Sequence, residues 1–96
     1  MVKVAVHFYA DLGELFSSKH IELSTPAGTV KELIDFISGQ YNPEFRERLM
    51  DANTGHVKKF YKIILNGRDI NFLEKLETRI SDGDIISFFP PVGGGS

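Results

Sequence analysis

The stretch of this 96-residue chain best suited to chemistry carries no reactive side chain. It is the run Pro90-Pro91-Val92-Gly93-Gly94-Gly95, with Ser96 after it. Consecutive prolines lack N–H groups and hold φ near −65°, so they end a strand and send the chain on in extended form. The three glycines beyond Val92 have no Cβ to obstruct a narrow channel. Six residues reach at most roughly 20 Å, enough to enter a catalytic centre buried in another protein. The chemistry open to such a tail is activation of a glycine carboxylate inside a partner's active site. Read alone, a Gly-Ser ending also fits the frayed terminus of an ordinary domain.

The other reactive groups point elsewhere. With no cysteine there is no disulfide, no thiolate metal site and no cysteine nucleophile. His7, His20 and His56 are scattered and read as surface residues, so no metal is expected. Asp82-Gly83-Asp84 falls far short of a calcium loop and reads as a turn. Asp11 with Glu14, and Glu74 with Glu77, read as solvated charge rather than acid–base pairs. A net charge of −2, with only Lys58-Lys59 as a small basic cluster, argues against nucleic acid. No apolar run approaches the ~20 residues that cross a bilayer, and the first residues lack a signal-peptide core. The expectation is a cytoplasmic protein with no membrane partner and no bound cofactor.

The elements that must position the tail follow from periodicity. At 42% apolar and 25% charged residues, the composition is that of a folded soluble domain. Val2, Val4, Val6 and Phe8 alternate along a first strand, and Ile21 and Leu23 along a second, which suggests a hairpin. Thr29-Val30-Lys31-Glu32 has the form of a capping box. Val30, Leu33, Ile34, Ile37 and Tyr41 then make one helical stripe, limited by Gly39 and Pro43. Phe45 and Leu49 share a face of a short second helix. Val57 to Asn66 reads as the third strand, Asn66-Gly67 as a hairpin turn, and Arg68 to Ile70 as a short return strand. A turn at Ser81–Asp84 leads into a last strand, Ile85 to Phe89. This order predicts an α+β fold, a β-grasp: a mixed sheet on one main helix, with the last strand central and parallel to the first. The domain is expected over residues 1–89, with an extended, flexible tail over 90–96.

Strand parity also predicts a partner face. Ser87 should point outward and bring Ile85 and Phe89 with it. Lys58 and Lys62 mark the outward side of the third strand and carry Phe60 and Ile64, while His7 and Tyr9 lie opposite Val6. Cover by the long connector, or single exposure of each residue, is the alternative reading of the same pattern.

Several of these segments together resemble a known family. They are Ile64-Leu65-Asn66-Gly67-Arg68-Asp69-Ile70, Leu76, Asp82-Gly83-Asp84-Ile85, and Phe89-Pro90-Pro91-Val92 with the glycines that follow. Lys3-Val4, Phe8-Tyr9-Ala10, Leu12 and Glu14-Leu15 fit as well, so the likeness spans most of the chain. It is to the MoaD/ThiS group of ubiquitin-like sulfur carriers, and the FPPV ending points within it to MoaD, the small subunit of molybdopterin synthase. The resemblance implies that a ubiquitin-activating-type (MoeB-like) enzyme uses ATP to adenylate the terminal glycine. Sulfur then displaces AMP, and the thiocarboxylate donates it to a pterin precursor within a MoaE-like large subunit. The carrier itself performs no catalysis alone. Matching the family's PPV-x-Gly-Gly ending makes Gly95 the reactive residue, with Gly94 before it and Gly93 in the variable position. Phe89, Pro90, Pro91, Val92 and Gly93, with Tyr9, Phe60 and Ile64, become the expected partner contacts.

The chain departs from the family at Ser96, which follows the Gly-Gly carboxylate, so a peptidase is expected to remove it before activation. Many relatives carry a basic residue where Gly13 stands, and Asn42 to His56 is longer than in short MoaD forms. Two other functions use the same tail: a ubiquitin-like modifier joined to lysines, and a carrier for another thiolation pathway (thiamine or tRNA). A third reading, a docking module, uses the patch and not the glycines. Intact mass before and after incubation in cell extract is expected to show loss of Ser96 before any thiocarboxylate forms. A thiocarboxylated chain that still carries Ser96 would rule that order out.

Overall fold

The alternating apolar residues of the N-terminus form strand β1 (Val2–Phe8), with Val4, Val6 and Phe8 buried. The computed structural model describes residues 1–91. A 3-10 turn at Ala10–Leu15 brings the chain back into β2 (His20–Thr25), antiparallel to β1. Helix α1 (Val30–Gln40) follows and packs Val30, Leu33, Ile34 and Ile37 against the sheet. Thr29 Oγ1 caps its start, accepting from the Glu32 N–H at 3.2 Å. Glu32 Oε1 returns the contact to the N–H of Gly28 at 2.7 Å, one residue further back than the usual reciprocal box. Tyr41 departs from the expected stripe: it is the C-cap residue, 53% exposed. The helix ends one residue after Gly39, and a short second helix α2 (Glu44–Leu49) buries Phe45 and Leu49.

The expected third strand is shortened. Only Lys62–Leu65 joins the sheet as β3. Val57 instead bridges Met50, and the Lys58 N–H donates to Leu49 O at 2.8 Å, so this part pairs with the end of α2. A turn at Lys58–Tyr61 with Phe60 at φ +70° redirects the chain into β3. Asn66 and Gly67 then turn with φ of +51° and +85°, the paired positive values of a type I′ hairpin, into β4 (Arg68–Asp69). Ile70 belongs to a following 3-10 turn rather than to the return strand, and its side chain is buried.

Strand β5 (Ile85–Phe89) completes a five-stranded sheet of order β2-β1-β5-β3-β4. It lies parallel to β1 and antiparallel to β3, as the β-grasp reading requires. The turn before it acts as a clasp. Asp82 Oδ1 accepts from Lys3 N at 2.7 Å, Gly83 N donates to Lys3 O at 2.7 Å, and Asp84 Oδ2 accepts from Ser81 N at 2.7 Å. These aspartates therefore serve backbone N–H groups, as a turn does. Asn66 ties the same corner, donating to Asp84 Oδ1 at 2.9 Å and accepting from Ile85 N at 2.8 Å.

Beneath the end of β5 lies an aromatic cluster. Phe45 of α2 meets Phe88 edge-on at 5.0 Å and Phe8 at 5.5 Å, while Phe16 stacks on Phe8 at 4.2 Å. Phe8, Phe45 and Phe88 are fully buried. Truncating a buried phenylalanine removes transfer energy and leaves a cavity. Phe45→Ala is expected to lower unfolding free energy by about 3–5 kcal/mol, read as a fall in the denaturant midpoint with an unchanged slope.

Candidate functional site

The residues that could meet a partner gather where β5 runs out. Phe89 lies half-buried on the outer face of the sheet, the face that no helix covers. Tyr9, just past the end of β1, stacks on it with ring centroids 4.2 Å apart and planes 13° from parallel. The Tyr9 N–H donates to Phe88 O at 3.1 Å, which extends the parallel ladder by one bond and fixes where the ring sits. Tyr9 remains 43% exposed. Pro90 is buried and Pro91 exposed, so the first proline still packs on the domain and the second leaves it. Gly94 and Gly95, the expected reactive residues, lie outside the described residues, as do Val92, Gly93 and Ser96.

Ile64 joins this face as predicted. It pairs with Ser87 on one side and Asp69 on the other, and sits diagonally from Phe89. Ile85 shares the face at the far end of β5 and is 49% exposed. Phe60 does not lie there by parity, because the turn before β3 breaks the alternation. It projects at the rim instead, 78% exposed. Lys62 pairs with Phe89, so the residues just before Lys62 lie beyond the end of β5, on the tail side.

The turn at Phe60 is unusual. Tyr61 N donates to Lys58 O at 3.3 Å, and Phe60 has positive φ while Lys59 does not. That combination is a type II turn with Phe60 in the place that calls for glycine or asparagine. A bulky residue there is strained by about 1–2 kcal/mol. Phe60 overhangs a shallow cleft lined by Val57, Tyr61, Ile63, Ile70 and Asn71.

Sequence reasoning left two further features unplaced. His7 and His20 face each other across β1 and β2 with rings stacked at 4.6 Å, and His20 Nε2 is 3.8 Å from Glu22. Among the described residues no group of three ligating side chains could hold a metal. No described helix is long and apolar enough to cross a membrane. Phe72, in the 3-10 turn after β4, is 87% exposed.

A central strand that runs into a double proline, overlaid by a stacked aromatic pair, can present a terminus and orient it. Residues 6–95 match the model of the ThiS family. The chain belongs to the ThiS family. Over 95 residues, 98% of this chain and all of the relative, it is 30% identical to small archaeal modifier protein 3 of Haloferax volcanii. It is 34% identical over 74 residues to the sulfur carrier protein CysO of Mycobacterium tuberculosis, covering 76% of this chain and 78% of the relative. The crystal structure of that CysO superposes with a TM-score of 0.80 at 30% identity, covering 93% and 99% of the two chains. A structure from Pyrococcus furiosus, provisionally named molybdopterin converting factor subunit 1, superposes at 0.72 with 28% identity over 96% of this chain and all of that one. This ThiS-family chain is therefore a ubiquitin-like β-grasp protein of the sulfur carrier and modifier kind.

The Tyr9–Phe89 stack can be tested in isolation. A double-mutant cycle with Tyr9→Ala and Phe89→Ala is expected to give a coupling of about 0.5–1.5 kcal/mol in unfolding free energy. Additive losses would mean that the two rings do not hold one another.

Proposed function

We propose that this ThiS-family chain carries sulfur on the carboxylate of Gly95 and delivers it in molybdopterin synthesis, as the small subunit beside a MoaE-like large subunit. The observation that carries the reading is that the central strand runs out through Phe89-Pro90-Pro91, with the Phe89 ring stacked on Tyr9 on the uncovered face of the sheet. There a partner can grip the domain and receive the tail at once. The FPPV ending and the structural likeness to the P. furiosus protein favour molybdopterin.

In the proposed sequence a Gly95 carboxylate oxygen attacks the α-phosphorus of ATP in a MoeB-like enzyme, and pyrophosphate leaves. A hydrosulfide-equivalent nucleophile then attacks the acyl carbon and expels AMP, which leaves the thiocarboxylate. Both steps belong to the partner's active site; the carrier contributes the acyl group and its docking surface, and holds no cofactor of its own. In this reading the carrier works in the cytoplasm, where its ATP-dependent partner finds ATP.

A second reading has specific support. The full-length match to a small archaeal modifier protein favours attack on the same acyl adenylate by the amine of a target lysine. The two readings separate in one assay. With ATP, the activating enzyme and a sulfide source, a chain ending at Gly95 is expected to gain the mass of one oxygen-to-sulfur exchange. It should then convert a pterin precursor when a MoaE-like subunit is added. Deleting Gly94 and Gly95 abolishes both. A ladder of lysine conjugates with no thiocarboxylate would favour the modifier, and sulfur transfer that ignores the MoaE-like subunit would point to another thiolation pathway.

A further inference from the structure

We infer that the Lys58–Tyr61 turn is a second, tail-independent grip on the enzyme that adenylates the chain, with Phe60 entering an apolar pocket whose rim is acidic. The inference rests on the reading above that an activating enzyme receives the tail. It starts from an imbalance inside the domain. Phe60 occupies the glycine position of a type II turn at φ +70°, yet its ring is 78% exposed, so burial does not offset the strain. Glycine or asparagine would make the same turn without that strain. A large aromatic held in a strained, exposed position has its compensation outside the chain, and exposed aromatics beside a shallow cleft are the usual anchors of interfaces.

Position and charge say which partner. The β3–β5 register puts Lys62 opposite Phe89, so Phe60 stands on the side from which the tail departs. A protein that takes in the tail must pass close to it. Between Val57 and Gly67 there are three lysines and no acidic residue. Lys58, Lys59 and Lys62 form no ion pair among the described residues, as is true of Lys3, Lys19, Arg68, Lys75 and Arg79; what sets these three apart is that they fall within five residues that hold no carboxylate. Three free cations around one exposed ring favour carboxylates around the pocket that takes it, and steer the encounter as well as the fit.

Two variants, each made in the chain ending at Gly95, separate this role from a structural one. Phe60→Gly relieves the turn, so its melting temperature is expected to match or exceed that of the unaltered chain by a few degrees. Its KM as a substrate of the activating enzyme, followed by ATP-dependent pyrophosphate release, should rise about tenfold or more with little change in kcat, as loss of a hot-spot anchor does. Lys59→Glu combined with Lys62→Glu should also raise KM, by about tenfold at low salt, with the difference shrinking as ionic strength is raised toward ~1 M. A clear fall in melting temperature for Phe60→Gly would make Phe60 a structural residue and overturn the inference. An unchanged KM in that variant would overturn it too, and a KM unmoved by the charge reversal would overturn the acidic rim. If the otherwise unaltered chain ending at Gly95 releases no pyrophosphate, the sulfur-carrier reading fails and takes this inference with it. Normal turnover of every variant sinks the inference alone.

Discussion

The parallel pairing of β1 with β5 is the constraint on which the rest of the structure depends. It brings the last strand of the domain into the middle of the sheet, next to the first, with the antiparallel β3 on its other side. A C-terminal strand at a sheet edge would have one ladder to hold it and would fray with the terminus. A central one is held by two, and its last side chains lie over the core. Phe88 points down into Phe45 and Phe8, and Phe89 points up against Tyr9. The chain is thus clamped on both faces at the last residues before the prolines.

Each of the other devices serves that placement. A parallel pair needs a long crossover, and here the crossover carries both helices and the β3–β4 hairpin. Helix α1 covers one face of the sheet, and α2 supplies Phe45 to the aromatic cluster beneath the exit point. At the opposite end the Asp82–Asp84 turn clasps the start of β1, and Asn66 ties the neighbouring hairpin to it. The register of β5 is therefore set at its entry, far from the tail. The opposite face of the sheet is left bare, which is the condition for a second protein to lie along it while it receives the terminus.

That bare face is uneven. At the tail end it presents the Tyr9–Phe89 stack and, at the rim, the strained Phe60 among Lys58, Lys59 and Lys62. Further along it presents the stacked His7–His20 pair beside Glu22. The end next to the exit is thus apolar and basic, while the remainder mixes polar groups with Ile64 and the half-exposed Ile85.

Most of the fold was legible in the sequence, because the signals that specify it are local. Alternation marks β1, β2 and β5 since each has one buried face; Thr29 and Glu32 mark the start of α1; Asn66-Gly67 marks a turn that needs two positive φ values. The double proline marks the end of β5 by steric and hydrogen-bonding rules alone. Only the tertiary structure decided the rest. Val57 pairs with Met50, a contact between segments that no local pattern announces, and Lys-Lys-Phe-Tyr holds no glycine to mark the turn that follows. Parity therefore carried Phe60 and Lys58 onto the strand, where the kink does not let them sit. Tyr9 over Phe89 and His7 over His20 are matters of register between segments distant in sequence, and no local pattern encodes register.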